Sequence, residues 1–286
     1  MSSIVNTARC ALLCLAFAAV TSARGADPAP AAGDLTPSLI KTGLYLIQGG
    51  GGNTLMRMSA SGLILVDGKS PGTYRALMSQ VRKINKISDL PVRVLIVTDH
   101  HASHTGNDDR FAAAGVPIVA QENTKRALEH SAPDVKVAVS FDAEYSIRMG
   151  GVEARLLHFG AAHTDGDTVV YFPNLKVVAL GDLYSAGAPS VDYASGGSLA
   201  NYGRVLAKVL ELDFDVAVPS DGPPVTRQDV SAFKARIDAV VGRTRDMVKT
   251  GATKAEVIAA IAMPAAGGTV SSEMAGQLYE ELLQAQ

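Results

Sequence analysis

The sequence predicts a layered α/β sandwich with its helices on the outside. Strand runs followed by helical runs occur in two successive blocks, and the strand runs are short, β-branched and apolar enough to lie buried in sheets. No internal repeat and no low-complexity linker divides the 286 residues, so they read as one large domain behind an N-terminal leader.

Residues 1–25 read as an export signal. Arg9 supplies a positive start, Cys10 to Ala23 is uncharged and apolar, and Ala23 and Gly25 are spaced for cleavage after Gly25. That apolar run falls short of the about 20 residues a membrane span needs. The expected location is therefore periplasmic or secreted, with no membrane contact after cleavage. Cys10 and Cys14 are the chain's two cysteines, so the mature protein would lack disulfides, thiolate ligands and cysteine nucleophiles. Cleavage removes Arg9 and Arg24 and no acid, which makes the whole-chain formal charge of −2 more negative and offers nucleic acid no footing. "ADPAPAAGD" opens a disordered leader over 26–38, and the folded domain is expected over 39–286.

Three strands are expected in "GLYLIQGGGGNTLMRMSASGLILVDGK", separated by the glycine run 49–52 and the "SASG" turn. The glycine run lacks the lysine and helix of a phosphate loop. It is a hairpin tip or a set of positive-φ turns, and a candidate flap. "PGTYRALMSQVRKI" has helical spacing at Tyr74, Leu77, Met78 and Val81, and "VRVLIVT" is a buried strand. Helix "DDRFAAAG", strand "VPIVAQ" and helix "ENTKRALEHSAP" follow. The second block has strands "AVSFD", "YSIRM", "VEARLLHF", "TVVYFP" and "KVVALGD", helix "SLANYGRVLAKVLEL" and strand "VAVPS". From Arg227 onward the pattern is helical.

The chemistry-bearing residues gather where strands end. "TDHHASHTGND", residues 98–108, places His100, His101 and His104 directly after a buried strand, where open α/β sheets present ligands. His163 sits in "GAAHTDGDTVVYFP", Asp182 ends "KVVALGD", and Asp221 follows "VAVPS". Donors arriving from several strand ends are what a fixed cation needs, because one loop can seldom wrap a cation alone. His158 alternates with apolar neighbours and His130 ends a helix, where the dipole favours it, so both read as structural. His100 reads as a rim residue, and Asp165 and Asp167 as turn formers. "LYSAGAPSVDYASGGSLANY", 183–202, reads either as a substrate-side loop or as a solvated connection.

These pieces resemble the metallo-β-lactamase superfamily. The family loop T-H-x-H-x-D-H-x-G-G aligns without a gap on Thr98 to Asn107. "AHTDGDTVVYFP", "VVALGDL", "VAVPSDGPPVTR" and "LILVDG" match the later histidine strand, the bridging-aspartate strand, the closing turn and the early strand with structural Asp67. The resemblance implies a four-layer αββα sandwich. It also implies metal ligands at Asp99, His101, His104, His163, Asp182 and Asp221, with Asp99 and Asp221 at histidine positions and Ser103 at the loop aspartate. Asp99, His101 and His163 would form the first site, and Ser103, His104, Asp182 and Asp221 the second, with Asp182 shared.

Two histidines and a carboxylate suit one zinc ion rather than two, with iron or manganese as alternatives. Without a cation, Asp99, Asp182 and Asp221 in one pocket would repel and raise one another's pKa values. The implied activity is hydrolysis of an amide, lactam or ester of a small-molecule substrate by metal-bound water, oriented by Asp99 or Asp221. A non-catalytic binding module and a mononuclear iron oxygenase are the rival readings.

Overall fold

The computed structural model describes residues 34–262 and 270–285. The expected signal segment therefore lies outside the described residues. Its first sheet has seven strands in chain order: β1 (Thr36–Lys41), β2 (Leu44–Gln48), β3 (Thr54–Ser59), β4 (Gly62–Val66), β5 (Val92–Ile96), β6 (Ile118–Gln121) and β7 (Val137–Phe141). The second has six, β8 (Glu144–Met149), β9 (Val152–Leu157), β10 (Val169–Phe172), β11 (Val177–Gly181), β12 (Val216–Pro219) and β13 (Val225–Thr226), again in chain order across the sheet.

Strands β4 to β7 are parallel, so each junction needs a crossover. Helix α1 (Tyr74–Ile84), the pair α2 (Ala102–Thr105) and α3 (Asp108–Ala113), and α4 (Glu122–Ser131) supply them. The parallel pair β11–β12 is bridged by α5 (Leu199–Glu211), and α6 (Arg227–Lys249), α7 (Lys254–Ile261) and α8 (Ser272–Gln284) follow.

The four layers follow from period-two alternation in strands apolar on both faces. In β4, Ile64 and Val66 turn toward the second sheet, while Leu63 and Leu65 pack under α1 with Leu77 and Val81. In β10 and β11, Val170, Phe172, Val177 and Ala179 meet the first sheet. On the other face, Val169, Tyr171, Val178 and Leu180 pack beneath α5 and α6. Burial of each such side chain contributes about 1.5–3 kcal/mol, and three apolar layers hold four layers of structure together. Helices α6 and α7 begin with capping boxes, Thr226 with Asp229 and Thr253 with Glu256, which stop the helical run from fusing with the preceding chain.

The sandwich is as expected, with small departures. β1 starts at Thr36, inside the span read as disordered leader, so the folded region begins earlier than residue 39. Pro37 obscured that strand, yet proline is tolerated here because β1 is the sheet's edge. The two-residue β13 and the single-turn helix α2 are too short to leave a periodic signal.

Candidate metal centre

The loop after β5 is anchored before it reaches the site. Asp67, at the end of β4 with φ 65°, accepts the Thr98 N–H and hydroxyl at 2.8 Å each and lies 2.9 Å from His104 Nδ1. One buried carboxylate thus ties two parallel strand ends and aims His104. His101 has extended backbone (ψ 147°) and opens α2, whose turn carries His104 back toward Asp99. Gly106 is required here, since a Cβ would stand 2.2 Å from Pro71. Asn107, at a family glycine position, donates to the carbonyls of Gly68 and Ser70.

His163 arrives from the second sheet. The buried Asp167 carboxylate accepts the His163 and Thr164 N–H groups and the Thr164 hydroxyl, and Thr168 N–H donates to Thr98 O at 2.7 Å, locking this loop to the first. Asp182 follows β11, where Gly181 (φ 53°) passes so close to Thr98 that a Cβ would lie 2.7 Å from its Oγ1. Ser220 Oγ donates to Asp182 Oδ1, and the buried Tyr202 hydroxyl donates to its carbonyl.

Asp99, His101, His163 and Asp182 present donor atoms that all lie within 4.8 Å of one another. His163 Nε2 stands 3.2 Å from both His101 Nδ1 and Asp182 Oδ2. His104 Nε2 stands 3.5 Å from Asp99 Oδ2 and from Asp182 Oδ2. Ligand atoms about 2.0–2.1 Å from a tetrahedral ion lie about 3.3 Å apart, so these separations suit a common cation.

Hydrogen bonds on the far side of each ring point the same way. His163 Nδ1 faces Ser190 O at 3.1 Å, His104 Nδ1 faces Asp67, and His101 Nε2 faces Asp192 Oδ2 at 3.2 Å. With those outer nitrogens donating, the inner nitrogens are the ones that would turn to a cation, which would displace the protons they otherwise share with the carboxylates, among them Asp99 Oδ1 at 3.1 Å from His101 Nδ1. The residues fit a zinc-like ion.

Charge is arranged to match. Burial opposes ionisation of Asp99, but His104, His101 and His163 outweigh it and hold its carboxyl below the usual range. Burial likewise opposes ionisation of Asp182, and hydrogen bonds with His104 and His163 hold it well below. Burial works against the His163 cation, but Asp182 and Asp99 lift it to about 9; His104, beside Asp99 and Asp67, is raised well above its ordinary value. Asp182 does push Asp99 upward, but the lowered carboxyl values correct the expected net rise: the imidazoles outweigh the repulsion, and the third acid is elsewhere.

That third acid is Asp221. It is exposed, and its Oδ1 accepts the next residue's N–H, from Gly222, at 2.9 Å. The ligand role expected for it, and the water-orienting role, are not supported by this placement; Ser220 reaches the site in its stead. The Ser103 carbonyl accepts the Gly52 N–H at 3.1 Å. This contact also decides the glycine run. Gly50 O accepts Ser70 N–H, Gly52 O accepts the buried Lys69 Nζ, and Asn53 N–H donates to Ser220 O, so the hairpin is stitched to the site rather than free to flap.

His158 bonds Asp167 O and His130 is exposed on α4, both outside the centre as expected. Sequence reasoning missed Ser190, Asp192 and Ser220. The D-x-x-S spacing of Asp192 signals a turn, but nothing in it names a histidine 91 positions earlier.

The family model described as the metallo-beta-lactamase superfamily matches residues 45–221, more than half of the chain. The chain belongs to that superfamily. Among superfamily structures, a metallo-beta-lactamase from Pontibacter korlensis superposes with TM-score 0.64 at 21% identity, covering 71% of this chain and 99% of the other. DIM-1 metallo-beta-lactamase gives TM-score 0.63 at 17% identity, covering 73% and 99%. These likenesses are of fold. A characterised relative is the 2,4-dinitroanisole O-demethylase subunit alpha of Nocardioides sp. (strain JS1661), 24% identical over 221 residues, or 76% of this chain. The match spans 66% of that relative's length, just under two thirds.

Proposed function

We propose that the protein is an exported metal-dependent hydrolase holding one divalent cation, zinc foremost, between Asp99, His101, His163 and Asp182, with His104 on the inner side. The observation carrying this reading is the convergence of four donor side chains from three strand ends within 4.8 Å. Such a cation supplies Lewis acidity, polarising a substrate oxygen and acidifying water.

The chain's own residues set the rest. Asp99 and His104 are fully buried, with side chains 2% and 0% exposed, and keep solvent from the inner side. His101 and Asp182, at 31% and 24%, form the side open to a small-molecule substrate. Two carboxylates in the donor set make the cation a weaker Lewis acid than imidazoles alone would, and Ser103 brings no carboxylate to orient a nucleophile. Activated substrates follow from that: esters, lactams, or aryl ethers on electron-poor rings. The relative named for 2,4-dinitroanisole, an ether of that last kind, supports including them. Export rests on residues 1–25, and no nucleic-acid or membrane partner is expected after cleavage.

Elemental analysis of protein purified without added metal, then zinc reconstitution against a panel of these substrates, tests the reading. Metal-dependent turnover is expected; a protein that takes up no metal, or turns over none of them, would sink it. A second reading, a mononuclear iron oxygenase, draws on the pairing of His101 and His163 with a carboxylate. Oxygen uptake with iron and none with zinc would favour it instead.

A further inference from the structure

We infer that the cavity between the end of α4 and the short helix α2 is a substrate subsite that takes an uncharged aryl group and refuses an anionic one. The inference deepens the hydrolase reading above, which it needs for the chemistry but not for the binding. The cavity measures about 440 Å³, within the range of small-molecule sites.

The sequence makes this space. Pro133 disfavours helical backbone at the residue before it, so α4 ends at Ser131 and Ala132 leaves the helical region with φ −141°. The turn that follows, closed by Val135 N–H on Ala132 O at 2.9 Å, brings Val135 back under cover. Leu128 and Val135, 2% and 6% exposed, form an apolar floor. Small side chains face each other above it, the exposed Ala102 on α2 and the half-buried Ala132 at the end of α4, and they leave the gap unfilled.

This cavity adjoins the centre because His101 belongs to both: it lines the space and gives a donor atom to the cluster. His100 stacks on His101 with ring centroids 4.5 Å apart and planes inclined by 29°, and Ser195 Oγ stands 3.2 Å from His100 Nε2. The wall beside the centre is thus a pair of flat rings, suited to a planar group whose ester or ether bond reaches the cation.

Charge selects what enters. Among the described residues the lining holds one formal charge, the exposed Asp109 carboxylate, and no lysine or arginine. Arg75 and Arg110 line a separate cavity, where Arg110 lies 5.6 Å over the Tyr74 ring. A carboxylate on the bound ring would lose water, gain no countercharge and face Asp109.

Two probes of nearly equal shape read this, 4-nitroacetophenone and 4-nitrobenzoate, which differ by a methyl against a charged oxygen. Each is titrated by ligand-detected NMR into the full-length protein, metal-free and zinc-loaded; the metal-free form gives the fair comparison, since zinc itself attracts a carboxylate. The neutral probe is expected to bind both forms, and the metal-free protein to bind the anion about 10-fold more weakly or worse. Ala132→Phe fills the cavity from one wall and Ala102→Phe from the other. Each should weaken neutral-probe binding by about 10-fold or more, while the zinc affinity of Ala132→Phe stays near wild type. With 4-nitrophenyl butyrate and zinc-loaded protein, Ala132→Phe should raise KM more than it lowers kcat, because the contact it removes is made before and during the reaction alike. Equal binding of the two probes by metal-free protein, or neutral-probe binding that survives both variants, would overturn the inference and leave the metal centre standing. So would a neutral probe that binds neither form. A protein that binds the neutral probe in this cavity but takes up no zinc upholds the subsite and overturns only the hydrolase reading.

Discussion

Two strand ends in this protein carry an aspartate where the family pattern has a histidine, and they behave in opposite ways. After β5, Asp99 is buried and its carboxylate accepts the His101 N–H at 2.8 Å, inside the donor cluster. After β12, Asp221 is exposed and bonds only the adjoining Gly222 N–H. The difference lies in what grips each backbone. The β5 loop is held from behind by Asp67, which leaves Asp99 facing the second sheet. The turn after β12 is held by Asn53, whose Nδ2 donates to Pro219 O and Gly222 O while its N–H donates to Ser220 O. That grip turns Ser220 toward Asp182 and leaves Asp221 outside. A carboxylate at a ligand position becomes a ligand only if the surrounding hydrogen bonds spend their constraint on pointing it inward.

The contrast can be broken most severely at its anchor. Asp67→Ala would strand the Thr98 donors and the raised His104 in a buried space, and a loss of about 3–5 kcal/mol is expected, measured by urea denaturation of the metal-free protein. A loss under 1 kcal/mol, in the range of an ordinary surface change, would mean the loop is held some other way. Asp99→Asn should next weaken zinc binding by at least about 100-fold, the upper limit for groups that act only through a ligand. Calorimetric titration reads this directly, and an affinity like wild type would remove Asp99 from the donor set.

A third test concerns the rigid side alone. Asp108, at the start of α3, is buried with no hydrogen-bond partner on either oxygen among the described residues. Burial, with Asp67 and Asp109 nearby, pushes its carboxyl up from 3.8 to about 8. The fold prefers the neutral acid, so its contribution to stability is greatest below about pH 4 and declines as pH rises toward about 8. Asp108→Asn should raise stability at pH 7 by about 1–3 kcal/mol and flatten the profile over that window. A destabilised variant with an unchanged slope would show that the acid has a partner after all. Smallest of all, Asp221→Asn should leave zinc affinity within about twofold and stability within about 0.5 kcal/mol; a larger change in affinity would return Asp221 to the centre.

Much of the site was legible because its signals are local. Asp99, His101 and His104 share one loop, and His163 and Asp182 each follow a strand whose apolar run is plain in the sequence. Ser190 and Asp192 were not legible, because their role consists of contacts with His163 and His101 across long stretches of chain. The net rise in pKa expected from three acids in one pocket failed for the same reason, since it assumed side-chain directions that a motif does not encode.

The sequence alone determines the two blocks of strands, the faces they bury, and the order in which donors reach the edge of the sheets, because apolar periodicity and turn residues act over short range. Only the tertiary structure decides which of those donors meet. Orientation at a strand end depends on hydrogen bonds from other parts of the chain, from Asp67 in one case and Asn53 in the other, and these exist only once both sheets have packed.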